Sequence, residues 1–107
     1  KQGYALENKL VNYLKDCGWF ATRSAGSHSC ADVIGITPYG ITYLFQCKST
    51  LKLQADLTSI FNSDRVQELT RMSFHVQKYI CIKQKLSSDL VYYKWDHESN
   101  KWKPIVF

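Results

Sequence analysis

The chain has 107 residues, enough for one domain with a single hydrophobic core and too few for two. Its residues are 45% apolar and 14% aromatic, which excludes extended disorder, and its net charge of +5 makes a polyanion a plausible partner. No apolar run approaches the roughly 20 residues that cross a bilayer, and the opening residues, KQGYALENKL, lack the hydrophobic segment of a signal peptide. We therefore expect a soluble intracellular protein, cytoplasmic or nucleoid-associated, without membrane contact.

The four cysteines, at positions 17, 30, 47 and 81, form no C-x-x-C pair and have no histidine at zinc-finger spacing. Each lies beside apolar residues, as in the stretch Tyr79–Ile82. We therefore expect reduced, mostly buried thiols in preference to a structural zinc site or a disulfide framework.

The first predicted element is an amphipathic helix over residues 4–17. Leu6, Leu10 and Leu14 recur every four residues and form one apolar stripe, the pattern of a helix that packs on a core. Gly18 follows at the position where a helix C-terminal cap is expected.

Three strands are predicted next, over residues 19–23, 32–37 and 41–48. The second contains a nearly continuous apolar run, Val33–Ile36, which is typical of a strand covered on both faces. The stretch Thr37–Gly40 has Pro and Gly where a tight turn needs them. We therefore expect the second and third strands to pair antiparallel.

The second half of the chain is predicted to contain one helix and two or three strands. A polar connection over residues 49–58 leads to a helix that Asn62, Ser63 or Asp64 would cap. The residues of this helix that are predicted to face inward are Val66, Leu69, Met72 and either Ser73 or Phe74.

The last strands are predicted over residues 77–83 and 90–95, with a further one over residues 102–107. Pro104 lacks a backbone N–H, so the final strand is expected at a sheet edge. The order α-β-β-β-α-β-β predicts an α/β fold in which helices flank a central mixed β-sheet, within one domain over residues 1–107.

Polar residues converge at one edge of this predicted sheet. Period-two geometry puts Gln46 and Lys48 on one face of their strand, about 7 Å apart, and the turn brings Asp32 beside them. A divalent cation would compensate the carboxylate, because magnesium takes carboxylate, amide and backbone carbonyl oxygens. The alternative is a strand that ends in solvent with Lys48 exposed.

Two further features lie near this edge. Glu7 flanks the apolar stripe of the first helix and would face the polar end of the sheet. A loop with Gly26, Ser27 and His28 offers backbone amides, a hydroxyl and an imidazole just before Asp32, although such loops are also ordinary turns.

The ordered set of these residues resembles the PD-(D/E)XK restriction-endonuclease-like nucleases, and most closely the archaeal-type Holliday junction resolvases. In those, a helix glutamate is followed by Gly-Phe-x-Ala-x-Arg, a Gly-Ser loop, an aspartate-led strand and a Glu-Val-Lys strand end. The corresponding stretches of this chain are Gly18–Arg23, Ser24–Ser29, Asp32–Ile34 and Gln46–Lys48. The resemblance implies a restriction-endonuclease-like core.

The resemblance also implies an activity: structure-selective, metal-dependent cleavage of four-way DNA junctions in recombination and repair, by water-mediated phosphodiester hydrolysis in a homodimer. Mg²⁺ is the implied cofactor, with Mn²⁺ able to substitute. Asp32 would be the principal metal ligand, joined by Gln46, the Cys47 backbone carbonyl and Glu7. Lys48 would be the catalytic lysine, and Ser27 would contact the phosphate near the scissile bond.

Two departures from the family pattern affect these expectations. Ala31 replaces a proline, which changes only the local turn, and Gln46 replaces a glutamate, which removes a negative charge from the metal site. A Gln-x-Lys ending also occurs in Mrr-like nucleases of the same superfamily. Glu68 on the second helix is a candidate for a migrated carboxylate, with a solvent-facing position as the alternative.

Three hypotheses follow. They are a junction-resolving endonuclease, a Mrr-like restriction or repair endonuclease that acts on duplex DNA, and a junction-binding protein that has lost cleavage through Gln46. The residues expected to contact DNA are Arg23, Ser27, His28, Lys9, Lys15, Lys52, Arg65 and Arg71. The aromatic residues Tyr92, Trp95 and Trp102 are expected either at a dimer interface or in the core.

Overall fold

A computed structural model describes residues 2–24 and 29–107. The elements in chain order are α1 (Gln2–Asp16), β1 (Phe20–Arg23), β2 (Val33–Ile36), β3 (Thr42–Thr50), α2 (Leu53–Phe61), α3 (Asp64–Thr70), β4 (Gln77–Gln84), β5 (Leu90–Asp96) and β6 (Lys101–Ile105). None of the helices in the described ranges is long and apolar enough to cross a membrane.

The strands form one six-stranded sheet in the order β1-β2-β3-β4-β5-β6. Only the central pair, β3 and β4, is parallel, so the sheet is mixed, as the sequence predicts. The antiparallel pairing of β2 and β3 across the Thr37–Gly40 turn is confirmed, and Gly40 adopts the left-handed backbone conformation (φ 85°) that closes this turn. The edge position of β6, which contains Pro104, is also confirmed.

The first helix and its end agree with the sequence prediction. Leu6, Leu10 and Leu14 are buried, and Gly18 has a φ of 87°, the left-handed conformation of a C-terminal cap. We call this side of the sheet the α1 face. Its core also contains Val33, Phe45, Tyr79 and Cys81, with Trp19, Tyr43 and Phe107 packed against it.

The connection between β3 and β4 differs from the prediction, because it contains two helices instead of one. Residues 49–58 were expected to be a polar connection, but α2 begins at Leu53. Parallel strands require a crossover, and helices supply it here. The helix α3 ends at Thr70, so Met72 and Phe74 lie outside it and are exposed, and their predicted inward orientation is wrong.

The two crossover helices cover the opposite side of the sheet, which we call the α2–α3 face. Its apolar residues are Leu44, Ile60, Val66, Leu69, Ile80 and Ile82. Two polar side chains, Gln46 and Lys78, are buried on this face at 1% exposure each. The four cysteines are free thiols: Cys81 is buried, whereas Cys17 is exposed, which the sequence analysis did not expect.

Candidate active site

The turn between β2 and β3 places Asp32 against the end of β3, as the sequence predicts. The antiparallel register aligns Val33 with Phe45, so Asp32 lies one residue further along, beside Gln46. Its backbone N–H donates to the Phe45 carbonyl at 2.7 Å. Its Oδ2 accepts a hydrogen bond from the Cys47 backbone N–H at 2.9 Å. The carboxylate is therefore fixed to the backbone of the Gln-Cys-Lys strand end.

The neighbouring strand β4 shows which way the side chains of β3 point. Gln46 aligns with Ile80, which belongs to the α2–α3 core, and Cys47 aligns with Cys81 of the α1 core. Lys48 aligns with Ile82, so it shares the face of Gln46. The predicted common face of Gln46 and Lys48 is therefore confirmed.

Gln46 is the more deeply buried of these two polar residues. Its amide Nε2 donates to the Cys30 carbonyl at 2.5 Å. No donor among the described residues reaches its Oε1. Lys48 is half-buried, and its Nζ forms no hydrogen bond or ion pair within residues 2–24 and 29–107. The amide oxygen and the lysine are thus both available at this edge.

Glu7 reaches the same edge from the α1 face. Its Oε1 accepts a hydrogen bond from Arg23 Nε at 3.0 Å, and its side chain is 14% exposed. The Arg23 guanidinium also lies over the Tyr4 ring, 4.0 Å from the centroid. The hydrogen bond to Glu7 raises the pKa of Arg23. Arg23 therefore holds the Glu7 carboxylate in place.

Both carboxylates act on the pKa of the Cys47 thiol. A hydrogen bond with the Cys81 thiol and burial raise the pKa of Cys47 far above its usual range, and the charges of Asp32 and Glu7 raise it further. Cys47 is therefore a neutral packing residue at neutral pH, and its backbone N–H is the part that contacts Asp32.

The oxygen atoms at this edge suit a hard cation. Asp32 Oδ2 is engaged with Cys47, whereas its Oδ1 meets no donor among the described residues. The Glu7 carboxylate, the Gln46 amide oxygen and the Cys47 carbonyl are the other candidate donors. Within residues 2–24 and 29–107 no three His, Cys, Asp or Glu side chains cluster. Two carboxylates with neutral oxygens and water fit magnesium or manganese better than zinc.

The residues expected to bind DNA occupy different settings. Arg65 Nη1 donates to the Ser29 carbonyl at 2.7 Å, and Lys9 Nζ donates to the Ser88 carbonyl at 3.0 Å. The exposed residues of this set are Lys9, Lys15, Lys52 and Arg71. Ser27 and His28 lie outside the described residues. Glu68 is exposed, which agrees with the solvent-facing alternative.

A basic pocket next to the edge was not predicted from the sequence. It has a volume of about 420 Å³ and is lined by Ala5, Leu6, Lys9, Ser49, Lys83 and Lys85. Ser49 aligns with Lys83 where the parallel strands β3 and β4 end together. Period-two alternation puts Lys83 on the same face as Cys81, and Lys85 lies in the turn that follows β4. The sequence shows these lysines, but the pairing of β3 with β4, which brings them beside Ser49 and Lys9, was not predicted.

The mixed sheet and the polar residues at this edge agree with the expected nuclease fold, and comparisons with known proteins identify the family. The family model of archaeal Holliday junction resolvases (hjc) matches residues 1–101, so the chain belongs to this family. Its fold is similar to that of Hjc, a Holliday junction resolvase from the archaeal hyperthermophile Archaeoglobus fulgidus. The two share 17% identity with a TM-score of 0.57, over 86% of this chain and 71% of that one. No curated protein sequence matches the chain.

Family membership selects among the three hypotheses. The chain is a Holliday junction-resolving nuclease, an endodeoxyribonuclease of DNA recombination and repair. The family implies dependence on a divalent metal ion. The hypothesis of junction resolution is therefore confirmed at the level of the family.

Proposed function

We propose that this chain cuts four-way DNA junctions as a Mg²⁺-dependent homodimer, with Asp32, Gln46, Lys48 and Glu7 forming the catalytic edge. The observation that carries the proposal is the hydrogen bond from the Cys47 N–H to Asp32 Oδ2 at 2.9 Å. This hydrogen bond fixes a carboxylate beside an amide oxygen and near a lysine that has no partner among the described residues. Because its substrate is DNA, the protein would be located in the cytoplasm or at the nucleoid.

Each residue has a role that its position supports. Asp32 Oδ1 would be the principal metal ligand, with Gln46 Oε1, the Cys47 carbonyl and Glu7 completing the set directly or through water. A bound Mg²⁺ would supply a Lewis acid and lower the pKa of a water molecule. Lys48 would orient or deprotonate the attacking water and offset phosphate charge. Ser27 would contact the phosphate near the scissile bond.

The basic pocket supports a path for the DNA strand. Ser49 lies two residues beyond Cys47 on the same strand, a distance of about 7 Å. Lys9, Lys83 and Lys85 form no ion pair within the described residues, so their charge is available to backbone phosphates. Binding would weaken steeply with salt because several counterions are released. Lys52, Arg71 and His28 remain proposed phosphate contacts.

Two symmetrical cuts require two catalytic edges, and this chain of 107 residues provides one. Tyr92 packs against Phe107, with ring centroids 4.9 Å apart, and Trp102 stacks on Phe61 at 6.2 Å. These rings therefore pack within the fold. At the edge strand, Ile105 and Val106 are 37% and 98% exposed, and they are the better candidates for the dimer contact.

Cleavage of a labelled four-way junction and a matched linear duplex tests the proposal. The wild type, Asp32→Ala and the control Asp16→Ala are each assayed with Mg²⁺, with Mn²⁺ and with chelator. Asp16 is an exposed carboxylate at the far end of α1, so its variant is expected to behave as the wild type. We expect paired nicks in the junction alone, abolished by chelator and by Asp32→Ala.

Other outcomes reject defined parts of the proposal. Cleavage of the linear duplex would favour a Mrr-like activity, and tight junction binding without any product would leave only a binding protein. Undiminished cleavage by Asp32→Ala would reject the site. Sedimentation of Val106→Asp tests the dimer: we expect monomers that nick one strand, and an unchanged dimer would move the interface elsewhere.

A further inference from the structure

The segment that leads into Asp32 is held by two side chains from different elements. Arg65 Nη1, on α3, donates to the Ser29 carbonyl at 2.7 Å. Gln46 Nε2, on β3, donates to the next carbonyl, that of Cys30, at 2.5 Å. Both carbonyls lie within three residues of Asp32. We call the pair Gln46 and Arg65 the carbonyl clamp.

The chemistry of the clamp requires an amide at position 46. Only the nitrogen of Gln46 can face the Cys30 carbonyl, because two oxygens at 2.5 Å would repel each other. A glutamate in the same conformation would place an acceptor-only, charged oxygen there, at a site that is 1% exposed. The glutamine that departs from the family pattern thus has a contact that the usual carboxylate cannot make without a proton or a cation.

Packing supports the same segment from the α2–α3 face. Ala31 is buried in a cluster with Leu44 and Leu69, and its N–H donates to Ser29 Oγ at 3.1 Å. The guanidinium of Arg65 therefore donates to a backbone carbonyl, although the sequence suggested that it contacts DNA. Ser29 to Asp32 is therefore fixed to α3 at one end and to β3 at the other.

We propose that Gln46 and Arg65 are positioning residues, which set the location of the Asp32 carboxylate and leave Gln46 Oε1 directed toward the metal. This inference rests on the proposed role of Asp32 as a metal ligand. Loss of an outer contact of this kind typically reduces metal affinity or activity about 10- to 100-fold without removing a ligand.

Arg65→Ala separates this role from DNA binding, and Arg71→Ala, at an exposed arginine that follows α3 and is proposed to contact phosphate, is the comparison variant. We expect Arg65→Ala to raise the Mg²⁺ concentration for half-maximal junction cleavage about tenfold or more. Its junction affinity in chelator, and the salt dependence of that affinity, should match the wild type. A phosphate contact would instead weaken junction binding and lower the salt slope by about one, with an unchanged metal requirement. That result would overturn the proposal.

Gln46→Glu tests the clamp without metal, with Gln54→Glu as a control at an exposed position. In chelator, we expect Gln46→Glu to lower Tm by about 4–8 °C and to speed amide hydrogen exchange at Asp32 and Cys47. Mg²⁺ should then raise the Tm of Gln46→Glu more than that of the wild type, because a carboxylate is the stronger ligand. An unchanged Tm and exchange rate in chelator would contradict the clamp.

The two sets of measurements distinguish failure of the clamp from failure of the proposed function. If Asp32→Ala cleaved normally, the catalytic site would be wrong, whereas the Tm and exchange of metal-free Gln46→Glu would still test the contact with Cys30. If Asp32 were essential and Arg65→Ala kept the wild-type metal requirement, only the clamp would be rejected.

Discussion

The two faces of the sheet differ in what they bury. At its centre the α1 face buries apolar side chains such as Leu10, Leu14 and Phe45, all fully enclosed. The α2–α3 face encloses Gln46 and Lys78 as well, each 1% exposed. Both of these polar side chains donate to backbone carbonyls, and these hydrogen bonds offset part of the cost of burying them. The first face holds the fold together, and the second also sets the positions of the segments around the site.

Lys78 illustrates this second role. Its Nζ donates to the Thr70 carbonyl at 3.1 Å and to the Met72 carbonyl, at the end of α3. A cation there satisfies carbonyls that the helix leaves without partners and interacts favourably with the helix dipole. Burial lowers the pKa of Lys78. The lysine thereby fixes the C-terminal end of the helix whose first turn carries Arg65.

The largest expected effect is a loss of stability on the α1 face. Phe45→Ala should lower the free energy of unfolding by about 3–5 kcal/mol, because it removes a fully buried ring and leaves a cavity. Urea denaturation measures the change. Tyr39→Ala, at a ring that is 91% exposed on the β2–β3 turn, is the control and should change stability by less than about 0.5 kcal/mol. A similar small loss for Phe45→Ala would contradict the described core.

The next largest expected effect is a loss of stability on the α2–α3 face. Lys78→Met should cost about 1–3 kcal/mol, because two carbonyls lose their donor while the volume is retained. Because burial lowers the pKa of Lys78, the folded protein binds the proton of its ammonium group less tightly than the unfolded chain does. The stability of the wild type relative to the variant should therefore rise with pH up to about 10.4. Thermal melts of both proteins across this pH range measure the stability difference, with Lys15→Met as an exposed control. A stability difference that falls as the pH rises would contradict the lowered pKa of Lys78.

These two faces also differ in how far the sequence predicts them. The α1 face follows from local patterns: the leucine stripe of α1, the cap at Gly18 and the turn before β3. The α2–α3 face depends on contacts between separate elements. The acceptors of Lys78, at Thr70 and Met72, lie within eight residues of it, but no local pattern indicates that its side chain turns back to the end of α3.

The missed helix α2 has a different cause. Leu53, Leu57 and Ile60 carry helical spacing, but polar residues around them suggested a connection. Its N-terminal region is stabilised by a hydrogen bond from the Thr50 hydroxyl to Asp56, a contact between the end of a strand and a helix. The sequence correctly predicts that Asp32 lies beside Gln46 at the end of β3, because one short turn determines the register. The hydrogen bond of Gln46 to Cys30 could not be inferred without coordinates.

The smallest expected effect is at the ion pair between Arg23 of β1 and Glu7 of α1. Arg23→Gln should lower the free energy of unfolding only slightly, because the Arg23 side chain is 34% exposed and water screens the pair. Denaturation in low and high salt measures it, and the loss should shrink as salt rises. A loss that is large and insensitive to salt would show that Arg23 has a packing role instead.

The most direct test of the catalytic edge is single-turnover cleavage of a four-way junction by Lys48→Ala. Lys101→Ala, at an exposed lysine on the edge strand β6, is the matched control. We expect Lys48→Ala to slow the cleavage step about 10²- to 10⁴-fold while junction affinity in chelator stays at the wild-type level, and Lys101→Ala to cleave at close to the wild-type rate. Cleavage by Lys48→Ala within about twofold of the wild type would contradict a catalytic role for the Gln46-Cys47-Lys48 strand end.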